Sequence, residues 1–399
     1  MSPILRYLSC IVLGLMLGLS VTLAGKENAT PTTHYNFPLL IDVIETVETY
    51  YVDKIDRNEL IAAAIEGIFN KLDPYSDFLE HEDLLTLREA NRGEYFGYGF
   101  EIAHEQQRVK IVTPFPHSPA ERAGIKAGDI ILSVNDTPVT VAQLPVILQE
   151  IRTASIAKNS IRMALQHDNG QTYRVSLRPE IISIDSVHSQ LLGDNIGYIR
   201  LSGFQRTSAT EMRTVLQHWQ TLPLQGLVLD LRNNPGGLLE QAIEIADLFL
   251  DQGKIVSTQG RFFDANSDYY ASPEVLAGNI PLLVLINKGS ASAAEVLAGA
   301  LHENHRATLM GQQSYGKGTV QSLIPTLYSV NAVKLTIARY TTPDGNNIHT
   351  KGIRPDILFV TEGITEQNNV HIIAAGQADS HIVDDIELKQ AVSWITQQH

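Results

Sequence analysis

The sequence predicts an α/β multidomain protein, and three observations carry that prediction. Residues 226–232 and 281–286 are apolar enough to be strands buried on both faces, and each runs through a turn of small residues into a helical pattern. Ahead of them, residues 96–180 read as short alternating strands around brief helices. Ahead of those, apolar residues recur at spacings of three and four from 37 to 92, the period of a helix face. The chain has 399 residues, enough for two or three domains that each bury a core.

Taken in order, residues 1–25 read as a signal peptide or an uncleaved anchor. Arg6 gives the positive start, residues 8–23 are apolar and uncharged, and Thr22-Leu23-Ala24 offers small residues where a leader is cut. The apolar run is short for a membrane span. Residues 26–35 are a polar linker. Residues 36–95 form an N-terminal helical segment, with one stripe on Leu40, Val43, Ile44, Val47 and Tyr51 and a second on Leu60, Ala63, Ala64, Ile65 and Ile68. Both stripes read as core-facing. Asp73-Pro74 breaks the pattern, since proline lacks the amide donor and restricts the residue before it.

Residues 96–180 form a small mixed domain. Ser118-Pro119 opens a short helix with a serine cap and proline just inside it. A helix is expected over 141–151, and strands over 161–166 and 173–177. Residues 181–360 form a larger α/β region with strands at 196–201, 226–232, 281–286, 308–311 and 333–340. Its helices are expected at 207–219, 238–250 and 292–302. This alternation implies a sheet covered by helices through right-handed crossovers. Residues 361–399 are a tail with an amphipathic helix over 384–395, packed on the core or on a second subunit.

Bulk properties exclude several classes. The net charge of −14 speaks against nucleic acid as a partner, because a nucleic-acid footprint is basic. Cys10 is the only cysteine and lies in the leader, so the mature chain has neither disulfides nor a catalytic thiol. His302 and His305 stand three apart, not the four of a helical zinc site. Gly311 to Lys317 imitates a phosphate loop but is followed by Gly318, where a hydroxyl is needed for magnesium. No metal or organic cofactor is implied.

The chemistry concentrates in two segments. Gly289-Ser290-Ala291-Ser292-Ala293-Ala294-Glu295 puts a serine at the head of a helix directly after a buried strand. Ser292 and Glu295 alone would be explained as a capping box. The small residues before them also let a substrate backbone approach, and a helix N-terminus offers free amides to an oxyanion. Tyr315-Gly316-Lys317-Gly318-Thr319-Val320-Gln321 puts a lysine 25 residues after Ser292 and a glutamine four residues further on. A serine hydroxyl needs a base, and lysine can serve if burial disfavours its ammonium form. A glutamine can hold the amine without adding the negative charge that would raise its pKa. Asn233-Asn234-Pro235-Gly236-Gly237 ends the other buried strand and reads either as a plain connection or as an amide nest.

These residues carry a resemblance. The chain from about 37 onward resembles the carboxyl-terminal processing proteases, of the short exported bacterial type. Leu72-Asp73-Pro74-Tyr75-Ser76 is similar to that family's Leu-Asp-Pro-His-Ser turn, with tyrosine for histidine. Asp230 to Gly237, Gly289 to Glu295, Tyr315 to Gln321, Thr342-Pro343-Asp344-Gly345 and Gly352-Ile353-Arg354-Pro355-Asp356 match its later signatures in order. Ala294 replaces a frequent third serine, and Glu303 a frequent aspartate. The resemblance implies a protease core with a mixed sheet, ClpP/crotonase-like, over 181–360 and an inserted PDZ domain over 96–180. It implies Ser292 as nucleophile, Lys317 as base and Gln321 as its orienter, with Gly236, Gly237 and Ala293 as oxyanion donors. Gly97, Tyr98, Gly99 and Phe100 would form a PDZ loop for a peptide carboxylate. Expected partners are protein or peptide substrates with apolar C-termini, with a homo-oligomer and an envelope adaptor left open. The expected location is the periplasm or the periplasmic face of the inner membrane. The alternative is a catalytically latent PDZ scaffold of the envelope.

Overall fold

The computed structural model describes residues 37–105, 108–167, 169–327, 330–359 and 385–398. The leader and linker expected over 1–35 lie outside them, as does most of the tail before 385. Compact units divide at residue 71: Met1–Lys71 and Leu72–His399.

The first unit holds two helices, Phe37–Tyr50 and Arg57–Phe69. Asp56 caps the second, its side chain accepting from Asn58 N–H at 2.7 Å. The helices form where the periodicity puts them, but neither has a buried residue. Val43 is 50% exposed and Ile68 59%. Among the described residues the apolar stripes are therefore not core, contrary to the expectation. Helical spacing reports amphipathicity and not what covers the apolar side.

In the second unit, the segment expected to stay helical to 92 contains a strand, Asp77–Leu79, before the helix His81–Arg92. The strand Glu94–Gly97 then pairs antiparallel with Glu180–Ser183. Between these two runs the whole small domain is inserted, so the chain enters and leaves it side by side. Its sheet is antiparallel, in the order Phe100–Glu105, Arg108–Pro114, Ile130–Val134, Ile161–Gln166, Thr172–Leu177. Ile161, Met163 and Leu165 alternate inward and meet Ile147 of the helix Leu144–Ile156.

The larger region has two sheets. The first is mixed, in the order Val187–Leu192, Ile196–Leu201, Gly226–Asp230, Leu282–Ile286, Thr308–Gly311, Ile357–Leu358. Its first pair is antiparallel and the rest parallel. Every residue of Gly226–Asp230 and Leu282–Ile286 is buried, as their unbroken apolar runs require. Leu227 and Leu229 face a core built with the helices Ser208–Trp219, Leu239–Asp247 and Ala293–Glu303. Val228, Leu283 and Leu285 face the opposite way, onto Leu388, Ala391 and Ile395 of the late helix Ile386–Thr396.

That helix is also held by charge. The Arg232 guanidinium donates to Asp230 Oδ2 at 2.7 Å, to Asp385 Oδ2 at 2.6 Å and to Glu387 Oε2 at 2.6 Å. Burial opposes the charge on Arg232, and the carboxylates of Asp230 and Asp385 outweigh it, so its pKa lies above the ordinary value.

The second sheet was not foreseen as a separate sheet, although its strand over 333–340 was. It is antiparallel, in the order Asp77–Leu79, Ala332–Thr341, Lys254–Gly260, Ser267–Tyr270, with Thr319–Pro325 also paired to Ala332–Thr341. Ala332–Thr341 stands between the segment after Lys317 and the residues that follow Asp73, and pairs with both.

Candidate active site

Three loops converge because three neighbouring parallel strands end together. Gly226–Asp230, Leu282–Ile286 and Thr308–Gly311 are adjacent in register, and the motif loops 231–237, 287–292 and 312–318 leave their carboxyl ends. Sites in open α/β sheets lie at such carboxyl edges. Cross-bonds fix the loops to one another. Ser290 Oγ donates to Leu231 O at 2.7 Å, Ala291 N–H to Asn234 O at 2.9 Å, and Tyr315 N–H to Ser290 O at 3.0 Å. Ser290 is fully buried, so it is a tie between strands and not an accessible nucleophile.

Ser292 stands at the turn from loop to helix with φ 56° and ψ −117°. A non-glycine residue there costs about 1–3 kcal/mol and persists only where its surroundings enforce it. Glu295 is the enforcing group. This carboxylate, 1% exposed, accepts four hydrogen bonds. Ser292 N–H donates to Oε2 at 2.8 Å and Lys317 N–H to Oε2 at 2.9 Å. The Ser314 hydroxyl donates to Oε1 at 2.6 Å and Gly316 N–H to Oε1 at 2.7 Å. From the sequence Glu295 reads as a helix cap, which is half of its role. Its other half ties the serine loop to the lysine loop.

Lys317 and Ser292 line one cavity of about 680 Å³, together with Tyr75, Gln321, Lys334 and Tyr340. Burial lowers the Lys317 pKa and the Lys334 charge lowers it further, while Asp73 and Glu295 oppose them; the net shift is downward. The Tyr340 hydroxyl hydrogen-bonds both the Lys317 carbonyl and, at 3.1 Å, the Ser292 carbonyl. Burial raises its pKa well above the ordinary value, so it stays a neutral donor. Sequence reasoning gave no sign of Tyr340, Lys334 or Asp73 at this place, because strand pairing alone delivers them.

The other expected residues fall less simply. Gln321 lines the cavity, but its amide nitrogen donates to the Thr319 hydroxyl at 2.9 Å and the Thr336 hydroxyl at 3.3 Å. The bond to the lysine amine expected of it is not made in this structure. Gly236, at φ 100°, packs so closely that a Cβ there would lie 2.8 Å from Ser292 Cβ. Its amide is already spent, donating to Asn234 Oδ1 at 2.9 Å. The expectation that Gly236 N–H is an oxyanion donor is therefore corrected; the residue shapes the turn. Gly237 N–H and Ala293 N–H have no hydrogen-bond partner among the described residues, and both residues line the cavity.

In the small domain, Phe100 starts a strand paired on one side only, which leaves an edge. Tyr98 is buried, its hydroxyl donating to Asn159 O at 2.7 Å. Gly99 takes φ 83°, and a Cβ there would meet the Ser118 side chain at 2.1 Å. A Cβ at Gly97 would meet the Tyr95 ring at 2.3 Å, so that position is set by packing and not by a glycine-only angle. Burial pushes the Tyr95 hydroxyl up to about 12, against a hydrogen bond from the Gly99 backbone.

Residues 195–359 match peptidase family S41 and residues 111–157 match a PDZ domain. A carboxy-terminal-processing protease of Bartonella bacilliformis is 35% identical across 94% of this chain and 87% of its own length. The carboxy-terminal processing protease CtpA of Bacillus subtilis is 33% identical across 84% of this chain and 71% of its own. Among solved structures, a proposed S41 protease from Bacteroides fragilis shares the fold, with TM-score 0.51 at 16% identity over 82% of this chain and 91% of that one. With sequence match and domain content in agreement, the chain belongs to peptidase family S41, as a PDZ-bearing serine peptidase of the carboxy-terminal processing group.

Proposed function

We propose that Ser292 is the nucleophile and Lys317 its general base in an exported endopeptidase. The observation that carries this reading is the shared cavity, in which burial holds a lysine below its ordinary pKa beside a strained serine at a helix head. The neutral Lys317 amine takes the Ser292 proton as Oγ bonds to the scissile carbonyl carbon. The ammonium then returns that proton to the leaving amine, and water, activated by the same amine, releases the acyl group. Gly237 N–H and Ala293 N–H face the oxyanion. Gln321 acts at one remove, through Thr336, whose hydroxyl donates to Asp73 Oδ1 at 3.1 Å. Export to the periplasm or its membrane face rests on Arg6 and the apolar run 8–23.

A fluorophosphonate probe tests the reading. It labels Ser292, and labelling rises about tenfold per pH unit up to the lysine pKa, because only the neutral amine is a base. Labelling that does not depend on pH would show that Lys317 is no base. A chain inert to both the probe and casein would instead be the latent scaffold.

The PDZ domain is proposed to take substrate C-termini at the loop 97–100 and the edge strand Phe100–Glu105. The full chain carrying Ser292→Ala should bind an apolar-ended peptide acid more tightly than its amide, by about tenfold in a titration, as loss of a charge-assisted hydrogen bond dictates. Gly99→Val should abolish the difference, since the added side chain collides with Ser118. Equal affinities of acid and amide for the Ser292→Ala chain would remove carboxylate capture.

A further inference from the structure

We infer that Tyr75 is a positioning residue for the base: its ring face supports the ammonium that Lys317 becomes on taking the serine proton. The inference deepens the Ser292–Lys317 reading and rests on it. Tyr75 occupies the place where the similar turn of the family carries histidine, and it lines the cavity with both residues. Lys317 Nζ lies 5.0 Å from the Tyr75 ring centroid, within the reach of attraction between a cation and an aromatic face.

The ring is held in place by its own turn and by a neighbouring ring. Asp73 Oδ1 accepts from Tyr75 N–H at 2.9 Å and Ser76 N–H at 3.0 Å, and Oδ2 accepts from the Ser76 hydroxyl at 2.9 Å. Thr336 N–H donates to Ser76 Oγ at 3.0 Å, which staples the turn to the strand Ala332–Thr341. His349 packs edge-on against the ring, with centroids 6.3 Å apart.

The charged and titratable groups around the amine leave this role to the ring. Asp73 faces it from the turn, Glu295 from the nucleophile helix and Lys334 from the strand. Tyr315 and Tyr340 are phenols on adjoining segments, and His349 lies beyond Tyr75. Asp73 and Glu295 are each committed to four hydrogen bonds. A carboxylate paired directly with Nζ would hold the lysine protonated at rest and remove the base. A π-face attracts the cation more weakly. It leaves the neutral amine populated and still lowers the energy of the charged state formed during acylation.

The test keeps shape constant and varies the ring's electron density in the full-length enzyme. Phenylalanine at 75, by Tyr75→Phe, keeps the midpoint of the rising limb of kcat/KM against pH within about 0.3 unit of wild type, since the face is retained. Replacing that phenylalanine with its di-, tri- and pentafluorinated analogues lowers the midpoint stepwise, by about one pH unit in all, and lowers plateau kcat by about tenfold. Tyr75→Leu moves the midpoint in the same direction. A midpoint that stays put across the fluorinated series overturns the inference, because lost packing alone would reduce rate without moving a titration. Lys317→Ala is run beside it. A rising limb that survives in Lys317→Ala removes the dyad reading itself, whereas a limb that vanishes there while the fluorine series stays flat removes only the role of Tyr75.

Discussion

Replacing either Ser292 or Lys317 with alanine lowers peptide cleavage by about 10⁴-fold or more, and replacing both is no worse than replacing one. Groups that act as one unit are not additive, because once either is missing the other has nothing to do. Lys317→Arg is equally dead, since a guanidinium does not give up its proton at any working pH. The control is Ser290→Ala, which retains cleavage but lowers the melting temperature. Its hydroxyl donates to Leu231 O and accepts from Asn287 N–H at 2.9 Å, and its loss leaves that amide without its acceptor at about 1–3 kcal/mol. Single-turnover kinetics beside thermal melts separate the two serines. Wild-type turnover in Ser292→Ala would end the assignment.

The second large effect is at a residue that performs no chemistry. Glu295→Gln should cost about 3–5 kcal/mol of stability and at least 100-fold in kcat. The amide nitrogen of glutamine must face either Ser314 and Gly316 or Ser292 and Lys317, and each side presents two donors to it. The loop that holds Ser292 at φ 56° and the loop that carries Lys317 then lose their common anchor. Melting and rate are measured on one preparation. A Glu295→Gln enzyme that melts and turns over like wild type would show that the four bonds do not position the loops.

What could be read in the sequence follows from which residues carry local information. The strands Gly226–Asp230 and Leu282–Ile286 announce themselves because burial on both faces leaves no polar position. The loops after them are legible because glycine and small residues mark close backbone approach. The strands Lys254–Gly260 and Ser267–Tyr270 went unread because partly exposed, mixed positions give them neither clean alternation nor an apolar run. Asp77–Leu79 is three residues long, too short for any period to show. The site divides in the same way. Ser292 and Lys317 stand in distinctive local contexts. Tyr75, Lys334 and Tyr340 reach the cavity only through pairing within the second sheet, which no local pattern encodes. Gln321 was expected on the lysine, and the same pairing puts Thr336 within its reach first.

Synthesis order gives the Arg232 fork a further meaning. It joins residues 153 positions apart, so a chain growing from its N-terminus carries Ser292 and Lys317 well before it carries Asp385 and Glu387. During that interval the face formed by Val228, Leu283 and Leu285 has no cover, and the arginine next to the Asn233–Gly237 turn lacks two of its three carboxylates. At ordinary translation rates the gap lasts on the order of 3–14 seconds. Synthesis of Ser292 and Lys317 and closure of the sheet face behind them are thus separated in time, and the sheet is covered on both sides only once the late helix has been made.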